Sequence, residues 1–113
     1  NNESAGDGGG IAVRENSTPI FNYVIITAND GDNGAGVLVR DNSAPVFNQV
    51  TIADNEAQSD GGALYIRNGS NLQVTNRIFW HNVYYSIYFS TTCSSLPPAL
   101  IIWREISFVI LST

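Results

Sequence analysis

Apolar residues in the first three quarters of this chain fall into two kinds of short run, and neither has a helical spacing. Ile11-Ala12-Val13, Val37-Leu38-Val39 and Leu64-Tyr65-Ile66 form one kind. Pro19 to Ile26, Pro45 to Ile52 and Leu72 to Phe79 form the other. Alternate positions within each run are apolar, the two-residue period of a strand with one buried face. Clusters of Gly, Asn, Asp, Ser and Pro separate the runs and mark turns, and that density of Gly opposes a helix. The pattern predicts inward side chains at Ile11 and Val13, Val37 and Val39, and Leu64 and Ile66. In the longer runs it predicts Phe21, Val24 and Ile26, then Phe47, Val50 and Ile52. The three-residue step from Phe21 to Val24 predicts a bend inside the strand.

The runs belong to one repeating unit. Asp7-Gly8-Gly9-Gly10-Ile11-Ala12-Val13-Arg14 returns as Asn33-Gly34-Ala35-Gly36-Val37-Leu38-Val39-Arg40, and again as Asp60-Gly61-Gly62-Ala63-Leu64-Tyr65-Ile66-Arg67. An Asn closes each unit, at Asn29, Asn55 and Asn82, and Asn2 stands where the preceding closure is expected. One such unit buries too few apolar side chains to offset the entropy of ordering it. Stacking resolves this: each strand pairs with its equivalent in the next unit, and like residues fall about 4.8 Å apart in ladders. The expectation is an all-β solenoid of parallel strands, with coils at about 3–29, 30–55 and 56–82. Residues 83–113 are expected to form a degenerate terminal coil or a capping tail.

These units resemble the right-handed parallel β-helix repeats of pectin-lyase-like proteins. More narrowly, they are similar to the Gly-Gly-(Ala/Ile) and Phe-x-x-Asn repeats of bacterial surface proteins and polymorphic outer-membrane proteins. Residues 2–82 carry the resemblance, and Ile78-Phe79-Trp80-His81-Asn82 is similar to the unit that ends such arrays. The resemblance implies a right-handed parallel β-helix of about three to four coils, secreted or at the cell surface. It implies architecture more than chemistry, because lyases, adhesins and autotransporter passengers share these repeats.

Charge and composition narrow the partners. Ten acidic and five basic residues give a net charge of −5, which argues against nucleic acid or an anionic membrane. All the basic residues are Arg. The single Cys93 can form no intrachain disulfide and lies in no metal-ligand spacing. The chain opens at Asn1 with no signal-peptide pattern and reads as an excerpt or mature fragment, so neighbouring coils of a longer chain are expected partners. After Asn82 there is no Gly, Asn or Asp. There, Ser86-Ile87-Tyr88-Phe89 reads as a fourth-coil strand, and Pro97-Pro98 as a break. Ala99 to Trp103 and Phe108 to Leu111 are strand-like by composition. Arg104-Glu105 between them argues against membrane insertion.

Four groups of polar residues are candidates for function. Stacked Asn29, Asn55 and Asn82 can hydrogen-bond along the ladder and, as Asn tolerates left-handed backbone, fit a tight corner; with Phe21 and Phe47 they are the expected structural ladders. Arg14, Arg40 and Arg67 should line one corner. Three like charges at coil spacing repel unless neutralised; Glu15 and Asp41 follow two of them, whereas Asn68 follows Arg67. This stripe is the candidate binding site, suited to carboxylate or sulfate groups of an extracellular glycan or to a surface protein. The acidic run Asn29-Asp30-Gly31-Asp32-Asn33-Gly34 suggests calcium, but its Gly falls one position early and no Glu lies at the twelfth position, so a solvated loop is expected and no metal or cofactor. No catalytic residue is assigned: His81 stands alone and reads as an outward residue, and the Lys and acidic clusters of the related lyases and hydrolases are missing. Arg77 occupies the inward column of Val24 and Val50, and a register change that turns Ile78 inward is expected there. The leading expectation is a non-catalytic structural or adhesive segment. The rival is a fragment of a polysaccharide lyase or glycoside hydrolase whose catalytic coil lies elsewhere.

Overall fold

The computed structural model describes residues 1–83, 87–89 and 109–111. Ten strands carry the described regular structure: β1 (Ile11–Val13), β2 (Ile20–Thr27), β3 (Asp30–Asn33), β4 (Val37–Val39), β5 (Val46–Ala53), β6 (Glu56–Asp60), β7 (Leu64–Ile66), β8 (Gln73–Trp80), β9 (Ile87–Phe89) and β10 (Val109–Leu111). They form three sheets, ordered β1-β4-β7-β9-β10, β2-β5-β8 and β3-β6. Every pairing is parallel and joins equivalent strands of successive coils. Among the described residues no helix is long and apolar enough to cross a membrane.

Register follows the repeat. Ile11 pairs with Val37, Val37 with Leu64 and Leu64 with Ile87. Phe21 pairs with Phe47 and Phe47 with Val74. The two Phe rings stack with centroids 4.7 Å apart and planes 14° from parallel. Val37, Val39, Phe47, Val50, Ile52, Leu64, Ile66 and Phe79 form the buried core. Ile11, Phe21 and Val24 pack against it only partly buried, because the first coil is covered on one side alone.

Coil length varies between 26 and 27 residues, and the third sheet absorbs the difference. Asp30 pairs with Glu56 but Asn33 with Asp60, so β6 holds one extra residue and bulges. The other sheets keep their ladders intact. This is the ordinary use of a bulge, to take up an inserted residue without shifting alternation elsewhere.

The bend expected between Phe21 and Val24 is a left-handed residue. Tyr23, Gln49 and Asn76 have φ of 57°, 58° and 47°, so each long strand turns a corner there while Val24 and Val50 still point into the core. The Gly-rich corner uses both properties of Gly. Gly34 has a φ of 65°, and a Cβ on Gly36 would come 2.5 Å from the Ala63 carbonyl oxygen of the next coil.

Two expectations are corrected. The left-handed residue at the Asn corner is not the Asn itself: Ala28, Asp54 and His81, one position earlier, take φ of 54°, 53° and 48°. The Asn is thereby freed to turn its amide inward. Nor does β8 change register at Arg77. Val50 pairs with Arg77, Thr51 with Ile78 and Ile52 with Phe79, so Phe79 is buried and Ile78 stays outside, 46% exposed. The left-handed Asn76 keeps the corner in step with Gln49, which removes any reason for a slip.

Beyond Asn82, β9 continues the first sheet from β7 and β10 adds to β9, so among the described tail residues Ile87–Phe89 and Val109–Leu111 are strands. Cys93, Pro97-Pro98, the run from Ala99 to Trp103, and Arg104-Glu105 lie outside the described residues.

Candidate functional site

Stacking converts each repeated polar residue into a column, and the columns differ in what they can do. The Asn column is internal. Asn29, Asn55 and Asn82 are buried. Asn55 Oδ1 accepts from the backbone N–H and the Nδ2 of Asn29, at 3.0 and 2.9 Å. Its own Nδ2 donates to Asn82 Oδ1 and to the Ile26 carbonyl, each at 3.0 Å. The pattern extends to both ends: Asn2 donates to Asn29 Oδ1 through N and Nδ2, and Asn82 Nδ2 donates to the Ile52 carbonyl. Each buried amide is thus satisfied by its neighbours, as burial requires.

A second internal column, of Ser, was not foreseen. Ser43 and Ser70 are buried; Ser17 N–H donates to Ser43 Oγ, and Ser43 N–H to Ser70 Oγ, each at 3.1 Å. The sequence held its signal in the repeated Arg-x-x-Ser at Arg14–Ser17, Arg40–Ser43 and Arg67–Ser70. Between Arg and Ser each coil places two left-handed residues: Glu15 and Asn16, Asp41 and Asn42, Asn68 and Gly69. That corner swings the Ser back inside and leaves the Arg outside.

The Arg column forms as expected. Arg40 N–H donates to the Val13 carbonyl and Arg67 N–H to Val39, so the three Arg residues leave the first sheet at the same level in successive coils. Arg14 and Glu15 approach to 3.8 Å, and Arg40 and Asp41 to 3.4 Å. Arg67 is not the uncompensated member. Its Nη2 lies 3.8 Å from Asp7, and its guanidinium sits 5.8 Å from the Tyr65 ring centroid. Asn68, which displaced the adjacent carboxylate, instead donates to Asp41 at 3.3 Å. All three pairs are long, and the buried Nε atoms of Arg40 and Arg67 make no hydrogen bond. The Arg40–Asp41 contact is therefore an ion pair without hydrogen-bond geometry. Of the three, Arg14–Glu15 is the exposed pair, of the kind that contributes at most about 1 kcal/mol.

The acidic run suggested for calcium is strand, not loop: Asp30–Asn33 is β3 and pairs with β6. Asn33 Nδ2 donates to Asp7 at 2.9 Å. No group of three or more His, Cys, Asp or Glu suited to a metal occurs among the described residues. His81 is exposed, and its Nδ1 lies 2.9 Å from Asp54 Oδ1 on the same corner one coil earlier. This pair was also missed; both residues directly precede a ladder Asn, which was the available signal.

Comparison with known proteins agrees with this geometry. The family described as right handed beta helix region matches residues 1–97. No curated protein and no solved structure gives a significant match.

Proposed function

Because the chain belongs to the right-handed β-helix family, we propose that it serves as a non-catalytic structural or adhesive segment of a secreted or cell-surface protein. The observation that carries this reading is the use made of the buried polar groups. Asn29, Ser43, Asn55, Ser70 and Asn82 are the buried polar residues of the described chain, and each is engaged in joining one coil to the next. What remains for function is the outer surface, whose side chains recur at coil spacing and suit an extended partner.

For that partner we propose an extracellular glycan bearing carboxylate or sulfate groups, bound along Arg14, Arg40 and Arg67. The loose pairing of these guanidinium groups supports it, since a guanidinium fork suits planar anions better than the single long contacts it now makes. Arg14, with 57% of its side chain exposed, is the most accessible of the three. On a glycan array, Arg14→Gln and Arg67→Gln should each reduce binding to acidic sugars. The wild-type signal should fall as salt rises, because exposed charges are screened over about 8–10 Å. Identical acidic-sugar profiles for wild type and both variants would remove the stripe from the account. Purified protein should show no turnover on pectin or pectate; calcium-dependent release of unsaturated oligosaccharides, lost on one acidic substitution within this chain, would favour the lyase reading instead.

A further inference from the structure

Two Asn-Gly pairs occur in the chain, Asn33-Gly34 and Asn68-Gly69. Such a pair can react with itself: the backbone nitrogen of the Gly attacks the side-chain amide carbon of the Asn. Gly has no side chain to shield that nitrogen. What decides the reaction in a folded chain is whether hydrogen bonds hold the nitrogen and the amide in place.

The first pair is locked. Asn33 ends β3, and Gly34 is buried. The Gly34 N–H donates to the Asp60 carbonyl at 3.0 Å, and the Asn33 carbonyl accepts from the Gly8 N–H at 2.9 Å. The Asn33 amide itself donates to Asp7 at 2.9 Å. The second pair is open. Asn68 and Gly69 are both exposed and both left-handed, with φ of 55° and 70°, the kind of tight turn that Asn-Gly favours. At the same corner of the first two coils, Asn16 N–H donates to the Asp41 carbonyl and Asn42 N–H to the Asn68 carbonyl, each at 2.9 Å. Gly69 holds that position in the third coil, and its N–H has no acceptor among the described residues. The bonds that restrain the turn are long: Ser70 N–H to the Arg67 carbonyl and Asn68 Nδ2 to Asp41 Oδ1, both 3.3 Å.

We propose that Asn68 is a self-modification site, converted to aspartate by reaction with Gly69 and water. The Gly69 nitrogen, on losing its proton, bonds to Asn68 Cγ. The Cγ–Nδ2 bond breaks, and Nδ2 takes up that proton and leaves as ammonia. One water then opens the five-membered imide, giving its hydroxyl to a carbonyl carbon and its proton to the ring nitrogen. Opening at Cγ restores the ordinary backbone with a carboxylate side chain. Opening at the main-chain carbonyl carbon leaves an isoaspartyl link, one atom longer. The first product completes a pattern the repeat already carries, since Glu15 follows Arg14 and Asp41 follows Arg40. It also replaces the amide that donates to Asp41 by a second carboxylate, and like charges at that range repel. The second product lengthens the turn that carries Ser70, whose Oγ accepts from Ser43, and so loosens the Ser column at the third coil. Either product adds one negative charge to the corner that holds the Arg stripe, and the change is one-way. None of this depends on what the stripe binds.

The purified chain, held in mildly alkaline buffer, should accumulate a more acidic form on isoelectric focusing, and peptide mass mapping should place the change at position 68. Conversion at Asn33 should be slower by about tenfold or more, because it waits on local opening of β3. In urea, where neither pair is held, the two rates should converge. The repeat supplies variants that the fold already accepts. Asn42 holds the Gly69 position with φ of 57°, so Gly69→Asn keeps the corner, checked by circular dichroism, while its side chain shields the attacking nitrogen. It should slow conversion at Asn68 by about tenfold or more. Asn68→Asp, which copies Asp41, should focus where the acidic form does. The proposal is overturned if Asn68 in the folded chain converts no faster than Asn33, or if the folded ratio of the two rates persists in urea. A wild-type rate of conversion in Gly69→Asn would overturn it equally.

Discussion

Asn55→Ala lowers the free energy of unfolding by about 3 kcal/mol, while Asn48→Ala lowers it by less than about 1 kcal/mol. The two residues are both Asn, lie in adjacent segments of one coil and both join a column, so the contrast isolates burial. Truncating Asn55 removes the acceptor used by the N–H and Nδ2 of Asn29 and the donor used by the Ile26 carbonyl. Only Asn82 Oδ1 keeps a partner, the Asn55 backbone N–H at 3.1 Å. A buried polar group left without a partner costs about 1–3 kcal/mol, and the backbone N–H and Nδ2 of Asn29 both lose their Asn55 acceptor. Asn48 makes hydrogen bonds to Asn22 and Thr75 at the surface, where water replaces them. Urea titrations of both variants, analysed with a common slope, measure the difference. Equal midpoints would show that the inner column contributes no more than the outer one.

Phe47→Ala should cost about 3–5 kcal/mol, the usual range for emptying a fully buried aromatic position, and Phe21→Ala clearly less. Phe47 is fully buried, with Phe21 stacked on one face and Val74 in register on the other. Phe21 has a neighbour on one face only and is partly exposed, so less apolar surface returns to water on truncation. Set against the total stability of about 5–15 kcal/mol typical of a domain, the Phe47 loss is large enough to unfold much of the chain at elevated temperature. Thermal unfolding of both variants tests the order; an equal or greater loss for Phe21→Ala would mean that the first coil is not at the edge of the core.

Much of this architecture could be read from the repeat, because a column needs only equal spacing. Once Phe21 and Phe47, or Asn29 and Asn55, stand 26 positions apart within matching neighbours, a parallel stack places them in contact whatever the detail of the turns. The bend at Tyr23 was visible as a broken alternation for the same reason. The Ser column was less visible, since Ser is common in turns and becomes distinctive only when two left-handed residues fold it back inside. Which residue at the Asn corner takes the left-handed conformation depends on the direction in which the amide must point, and composition does not encode direction. Ile78 was misassigned because an Arg in an inward column suggested a slip, whereas the backbone keeps its register through the shared corner at Asn76. Arg67 was misread for a geometric reason: its carboxylate, on Asp7, belongs to a coil two repeats earlier and only the path of a long side chain brings them together. That Ile25, Ile78 and Trp80 share one outer face follows from register across coils and not from any single strand.

The stacking of equivalent residues in parallel register is the claim on which every column here depends, and side-chain amide contacts measured by NMR test it most directly. In isotope-labelled protein, nuclear Overhauser contacts should link the side-chain amide of Asn55 to those of both Asn29 and Asn82, with slow exchange of these amide protons. They should also link the rings of Phe21 and Phe47. Absence of the Asn contacts, or close Hα–Hα contacts between β2 and β5 of the kind that antiparallel pairing produces, would contradict the account.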